Sequence, residues 1–428
     1  MSPIFVGLYL LMPAMLASQG VQADINQMAQ RMKPRLVELR RDFHAHPELS
    51  NREQRTSRVV AERLRALGLE VRTGIARHGV VAVLKGGQPG PVVAVRADMD
   101  ALPVQEAGNL PFKSQNPGVM HACGHDGHMT IGLGTAEMLA GMRKQLKGTV
   151  VFLFQPSEEG APDGERGGAD LMIAEGTLAN PKVEAIFGLH VMPGLEAGKA
   201  GYVPGAAMAA IDRFSITIHG KMAHGAMPQK GVDAIVVASE CMVALQSIRS
   251  RRVDPIQPMV LTVGTIQGGS RNNILAEKVQ MGGTLRTLSE ATRTLSKTAM
   301  KEILSGVTAA HGATFELVFA DSHPAVFNEP ALAERCAVSL GKALGSGNSL
   351  RVEPWLASED FALYQQVIPG FFFFLGVANS AQGITAPLHT AEFNLDEEAL
   401  VAGVKGMTTL VLDYLERTSP TAPIQTKQ

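Results

Sequence analysis

MHACGHDGHM, residues 120–129, places Cys123, His121, His125 and His128 within eight residues, with Asp126 among them. Thiolate and imidazole are the side chains that zinc-like transition metals prefer. A glycine-rich loop whose histidines merely cluster would look much the same, so the stretch needs support from elsewhere in the chain. Cys123 and His125 are two residues apart, a spacing that on a helix aims side chains nearly opposite ways. To share an ion they must sit on looped or extended backbone, which Gly124 and Gly127 permit.

Outward from this stretch, strands and helices alternate. Short β-branched runs at 69–72, 80–84 and 92–96 precede it; 126–140 reads as a helix, 149–154 as a strand, 169–175 as a helix and 185–189 as a strand. Continuous apolar strands between helices predict an α/β fold with a mostly parallel sheet, helix-covered on both faces. Ser50 with Glu53 three residues on reads as a capping box opening a helix to about residue 67, which Gly68 ends. After about residue 206 the pattern changes. Strand-like runs at 214–218, 260–266 and 278–286, with helices near 232–249 and 290–311, predict a smaller α+β domain. It occupies residues 210–320, inserted in a larger domain of residues 24–209 and 321–428. The α/β pattern returns with a helix near 331–344, a buried strand within 370–376 that holds four consecutive phenylalanines, and a last helix at 397–415.

A length of 428 residues suggests two or three domains. The net charge of −1 gives no electrostatic case for nucleic acid or an anionic membrane. Residues 4–17 are almost wholly apolar, contain Pro13 and are too short to span a bilayer comfortably. With the small residue Ala23 following, residues 1–23 read as a signal peptide cleaved after Ala23, which predicts a periplasmic or secreted protein with no membrane contact after cleavage. No Lys or Arg precedes the apolar run, so an uncleaved apolar anchor is the alternative. Three cysteines are an odd number and too few for a disulfide scaffold. Cys241 and Cys336 lie in apolar helical stretches and read as buried thiols, whereas Cys123 stands in a polar loop.

The remaining chemistry falls directly after predicted strands. Asp98 and Asp100 follow the run ending at residue 96, Glu158 and Glu159 follow 149–154, and His190 follows 185–189. Open α/β sheets bind ligands beyond the carboxyl ends of their strands, so these groups and residues 120–129 can meet at one edge. Adjacent Glu158 and Glu159 point different ways, leaving one to bind metal and the other to act as a base. A thiolate–imidazole–carboxylate set suits Zn, Mn, Co or Ni and excludes a calcium or magnesium site.

Eight ordered motifs resemble the metallopeptidases of the M20 clan, in the branch of hippurate hydrolases, N-acyl-amino-acid amidohydrolases and auxin-conjugate hydrolases. They are RRDFHAHPELS (40–50), RADMDALP (96–103), MHACGHDGH (120–128), FQPSEEG (154–160), IFGLHV (186–191), GKMAHGAMP (220–228), SEDFALY (358–364) and APLHT (386–390). The resemblance implies two divalent metal ions per subunit, held by Cys123, His125, Glu159, His190 and His389, with the Cys123 thiolate bridging. It implies Glu158 as general base, and an inserted domain that serves as lid and homodimer interface. From that domain His224 reaches the partner's active site and stabilises the oxyanion, and Asn273 and Arg286 are the substrate-binding candidates. The implied substrate is a small N-acyl amino acid, hippurate-like, or a related peptide. His44 and His46 fall at a structural turn, His219 is structural, His121 and His128 orient neighbours by hydrogen bonds, and Asp100 holds a ligand imidazole. One segment departs from the family. In GGSRNNILAEK (268–278), Ala276 replaces a proline and Arg271 a small residue.

Three rival readings remain. A dipeptidase or carboxypeptidase would share these motifs. A cysteine hydrolase with Cys123 as nucleophile and His125 as base has poor spacing for the pair and an odd surplus of carboxylates. A non-catalytic small-molecule binding protein would have no need of Glu158.

Overall fold

The computed structural model describes the backbone of residues 8–416, and the side chains of residues 20–416 apart from Asp321. Residues 1–7 of the expected signal peptide, and the side chains of 8–19, lie outside the described residues. Among the described residues, no helix is long and apolar enough to cross a membrane.

The apolar runs around residues 120–129 become strands of an eight-stranded sheet among the described residues. β1 (Glu70–Ile75), β2 (Gly79–Lys85), β3 (Gln88–Asp98), β4 (Lys147–Gln155) and β5 (Ala185–Glu196) lie in the order β1-β2-β4-β3-β5, and the phenylalanine strand Gly370–Ala378 follows β5. From β4 through β3 and β5 to Gly370–Ala378 the strands run parallel, while β1 and β2 join antiparallel at one edge. Every residue of Gly370–Ala378 is buried. Phe371, Phe372, Phe373 and Phe374 are fully covered, each contributing roughly 2 kcal/mol of apolar burial.

Helices α1 (Leu8–Ala45), α2 (Gln54–Ala66) and α3 (His125–Gly141) share one core with the sheet and with the helix Glu398–Leu415. α3 is apolar on nearly every side, and most of it is buried. At Gly134 an added Cβ would meet Val404 at 2.6 Å and Leu36 at 2.8 Å, so glycine sets how closely α3 can approach its two neighbours. α2 corrects one expectation. Glu53 occupies the N-cap position but makes no capping bond, and the Ser50 hydroxyl donates to Asp100 instead. The second and third N–H groups of α2 are taken by Glu48, whose carboxylate accepts from Arg55 N at 3.1 Å and Thr56 N at 2.8 Å.

The described residues fall in two compact units. The first runs to Gly205 and includes Asn328–Val352 and everything from Leu363 onward; the second comprises Ala206–Phe327 and Glu353–Ala362. The second unit holds an antiparallel sheet in the order Thr314–His323, Ala210–His219, Lys278–Thr287, Met259–Gly268, with the helices Ala234–Leu245 and Glu290–Ala310 sharing its core. Its limits are wider than the 210–320 read from periodicity. Residues 353–362 join it through backbone pairing, Trp355 N to Ala207 O at 2.9 Å and Ala209 N to Trp355 O at 3.1 Å, which leaves no apolar period to read. Cys241 and Cys336 are buried in the helices Ala234–Leu245 and Pro330–Leu344.

Candidate metal centre

Three neighbouring strands deliver the polar groups. β3 ends at Asp98, two residues before Asp100; β4 ends three residues before Glu158; and β5 carries His190. Residues 120–129 enter through a tight turn at Gly124, which has φ +85° and where a Cβ would lie 2.5 Å from Val191. A side chain is excluded there on both counts. The turn leaves Cys123 on the loop and His125 as the first residue of α3, and both contribute to one donor cluster.

Cys123 Sγ lies 3.3 Å from His190 Nε2 and 3.2 Å from His389 Nε2. His389 Nε2 is 3.3 Å from Glu159 Oε1, and His125 Nε2 is 3.9 Å from Glu158 Oε2. The donor atoms form overlapping sets, each with members within 4.8 Å of one another: Cys123, His125 and His190; Cys123, Glu159 and His389; His125, Glu158 and Glu159. Cys123 belongs to the first two sets. All five residues read as metal ligands, together with Glu158, therefore converge within the first unit.

Their supports decide which atoms face inward. His125 Nδ1 donates to the Asp100 carbonyl at 2.8 Å, and His190 Nδ1 donates to the Val191 carbonyl at 2.8 Å. This turns each Nε2 inward, as a metal-bound imidazole requires. His125 Nε2 is buried and has no hydrogen-bond partner. Asp100 does more than hold an imidazole, because its carboxylate also accepts from the backbone N–H of both Glu158 and Glu159 at 3.0 Å. His389 and Ser157 adopt positive φ, 61° and 58°. Such strain in non-glycine residues persists where surroundings over-determine it, typically at functional sites.

The flanking histidines divide. His128 donates from Nδ1 to Asp98 at 2.6 Å and accepts the Val191 N–H on Nε2 at 3.0 Å. With both nitrogens committed it is not a metal donor, although it lies close to Asp98 and His125. His121 is buried and neither ring nitrogen has a hydrogen-bond partner, so it orients no neighbour in the expected way. Burial pushes its pKa down to about 3, and it stays neutral. His44 is structural, with Nδ1 on Asp126 at 2.8 Å and Nε2 on Glu106 at 3.3 Å. The Arg40 guanidinium joins the same buried Asp126 at 2.8 Å. His46 bonds the Asp42 carbonyl, and His219 pairs with exposed Glu316.

Negative charge is in surplus here. Burial opposes protonation of His125, yet Asp98, Asp100 and Glu159 outweigh it and push the pKa up to about 10. Burial, then Glu159 and Glu158, drive the Cys123 thiol well above its ordinary value. Burial, and then His128, hold the His190 imidazole neutral, while the carboxylates crowded around Cys123 and His125 keep those two protonated, a surplus that divalent cations would neutralise.

The candidates of the second unit are of another kind. His224 is exposed, and its Nδ1 accepts from Ala226 N at 3.0 Å. Its loop is bridged to that of Asn273, with Gly225 N donating to Asn273 O at 2.8 Å. Arg286 donates to the Leu356 carbonyl at 3.0 Å, a tie within the unit's own frame. Arg271 is exposed, and Ala276 is buried with its carbonyl accepting from Ala234 N at 3.0 Å. Sequence reasoning missed Glu48 and the true task of Ser50 and Glu53. It also missed the buried chain in which Tyr364 and Arg96 share Gln155 and Arg96 reaches Asp98. Their sole signal is proximity to the motifs.

A mostly parallel sheet with thiolate, imidazole and carboxylate donors at its strand ends defines an α/β protein with a transition-metal type of site, and its family and relatives make it a hydrolytic enzyme acting on amides. Residues 94–413 match the Peptidase family M20/M25/M40, and the chain belongs to that family. It is 43% identical over 305 residues to an N-acyl-L-amino acid amidohydrolase of Geobacillus stearothermophilus, covering 71% of this chain and 81% of that protein. It is 38% identical to thermostable carboxypeptidase 2 of Saccharolobus solfataricus, covering 89% and 95%. Among solved structures, a Bacillus subtilis protein described as a dinuclear metal binding peptidase of the M20 family superposes with a TM-score of 0.78. The two are 35% identical, over 90% of this chain and 99% of that one.

Proposed function

We propose that the protein hydrolyses the amide bond of small N-acyl amino acids, using two divalent ions held by Cys123, His125, Glu159, His190 and His389. The observation that carries this reading is the inward Nε2 of His125, buried and unpaired amid acidic groups. Buried polar atoms without partners are rare and call for a ligand, and an imidazole lone pair beside thiol and carboxylates fits a transition ion. Cys123, common to two donor sets, would help to hold both ions.

When bound, the ions polarise the scissile carbonyl and lower the pKa of the attacking water. Glu158 takes that water's proton and passes it to the departing amine. The rigid supports on Asp100 and Val191 keep the imidazoles in the tautomer that presents Nε2. His224, in the partner's active site, donates to the oxyanion, and Asn273 in the adjoining loop contacts the substrate. Arg286 serves by fixing its own unit through Leu356. The exposed Ile235, Val236 and Val243 of the helix Ala234–Leu245, beside the exposed edge strand Met259–Gly268, support a homodimer formed through this unit.

The amidohydrolase relative supports N-acyl amino acids as substrates, and the carboxypeptidase relative keeps a peptidase as the second reading. A panel of N-acyl amino acids, dipeptides and longer peptides, assayed on protein reloaded with Zn, Mn, Co or Ni, separates them. Hydrolysis of hippurate-like compounds well above dipeptides supports the first reading, and the reverse order rejects it. Export rests on residues 1–23, and N-terminal sequencing of the mature protein tests cleavage after Ala23. Gln22 accepts a hydrogen bond from Thr409 at 3.0 Å, a contact that such cleavage would remove.

A further inference from the structure

Three consecutive backbone N–H groups, those of Ser157, Glu158 and Glu159, end on two buried carboxylates. Asp100 takes the second and third. The first donates to Glu53 Oε1 at 2.9 Å, and the same oxygen accepts from Asn51 N at 3.0 Å. Ser157 sits at φ 58°, the left-handed turn that aims successive N–H groups into one anion cradle. Glu53 is fully buried, and its carboxyl group is not used by the helix it precedes, where the N–H groups of Arg55 and Thr56 belong to Glu48. It thus ties the loop after β4 to the turn before α2, one residue ahead of the adjacent glutamates.

We propose that Glu53 is a positioning residue for Glu158 and Glu159, its carboxyl oxygen holding the left-handed turn at Ser157 from which the two side chains diverge. This rests on the reading of Glu158 as base and Glu159 as metal ligand. Asp100 fixes the N–H groups of the glutamates themselves but not the conformation of the residue before them. Without the Glu53 oxygen, two buried donors lose their acceptor and a strained residue loses what holds it. The loop then relaxes, carrying base and ligand off their geometry, and small displacements of that kind are costly to catalysis. The role needs an oxygen at the right reach rather than a charge. Both bonds end on Oε1, and burial with the nearby Asp100 pushes the carboxyl's pKa up to about 8, so a neutral amide can present the same oxygen.

Two substitutions in the full chain separate reach from charge. Glu53→Asp keeps the carboxyl group and withdraws the oxygen; Glu53→Gln keeps the oxygen on a side chain that cannot ionise. Hydrogen exchange of residues 154–160 is measured in metal-free protein, alongside metal retention on dialysis and kcat and KM for an N-acyl amino acid. The expected result for Glu53→Asp is exchange faster by about tenfold, weaker metal retention and kcat down about thirtyfold with KM within threefold. Glu53→Gln is expected to keep wild-type exchange protection and kcat within about fivefold. Wild-type behaviour of Glu53→Asp, or equal damage in both variants, overturns the proposal. The exchange comparison needs neither metal nor turnover. A wild-type protein that hydrolyses none of the substrates would reject the functional reading while this test still returns its own answer.

Discussion

Cys123, His125 and His190 are at most 6% exposed, and the outer nitrogen of each imidazole is tied to a backbone carbonyl. His224 and Asn273 are exposed, on loops whose backbones pair with each other. The core of the first region is finished within its own unit: His125 and His190 are each supported on a backbone carbonyl, and only His389 among the five proposed ligands stands exposed. The second is only half built, with side chains placed on a firm backbone and nothing packed over them. Preorganisation of that first kind is what holding ions and a base requires. The second kind suits groups that act only once covered, as the proposed substrate and partner subunit would cover them.

Removing one function at a time breaks this contrast most sharply. Glu158→Gln is expected to lower kcat by about 10³-fold or more, within the range for a lost general base, with metal content unchanged by elemental analysis. Substantial turnover in that variant would remove Glu158 from its role. A second effect concerns loading. His125, with its pKa pushed up to about 10, and the still more reluctant Cys123 thiol must both shed protons to bind metal. Affinity should therefore rise with pH across the neutral range, by roughly tenfold per pH unit for each proton displaced. Titration calorimetry in buffers of different ionisation enthalpy checks this, and a flat profile would mean that other residues bind the ion. His224→Ala should cost about 10²-fold in kcat, typical of one lost oxyanion donor, while leaving ion stoichiometry intact. Loss of metal in that variant would erase the distinction between the two regions.

Much of the buried region was legible because its chemistry sits where α/β sheets put it. Asp98, Asp100, Glu158, Glu159 and His190 follow apolar runs, and Gly124 ahead of His125 announces a turn, whereas Gly127 falls inside α3. Ser50 and Glu53 were misread for a physical reason. Their spacing matches a capping box, but a carboxylate that accepts from a distant N–H leaves no local pattern, and Glu48 does the capping from outside the helix. His128 resembled its neighbour His125 in type and position, and only the Val191 N–H and Asp98 carboxylate show both its nitrogens committed. The return of residues 353–362 to the second unit escaped notice because it is held by a few backbone bonds around Trp355, which carry no hydrophobic period.

The smallest expected effect lies in the frame of the second unit. Asp212 accepts from Arg293 at 2.7 and 2.8 Å, from Ser322 at 2.6 Å, and pairs with Lys297 at 2.7 Å. Burial works against its charge, but these partners hold its pKa down at about 2. The folded-state value is depressed, so the stabilisation is complete above the unfolded value of about 3.9 and is lost as pH falls through it towards 2. Asp212→Asn should cost about 2 kcal/mol at neutral pH and flatten the acid limb of thermal stability, without altering metal content.

Anomalous diffraction from crystals loaded with a single metal tests the central claim most directly. The account predicts two peaks per chain, both within bonding distance of Cys123 Sγ, one completed by His125 and His190 and the other by Glu159 and His389. A single peak, or peaks that leave Cys123 uncoordinated, would contradict it.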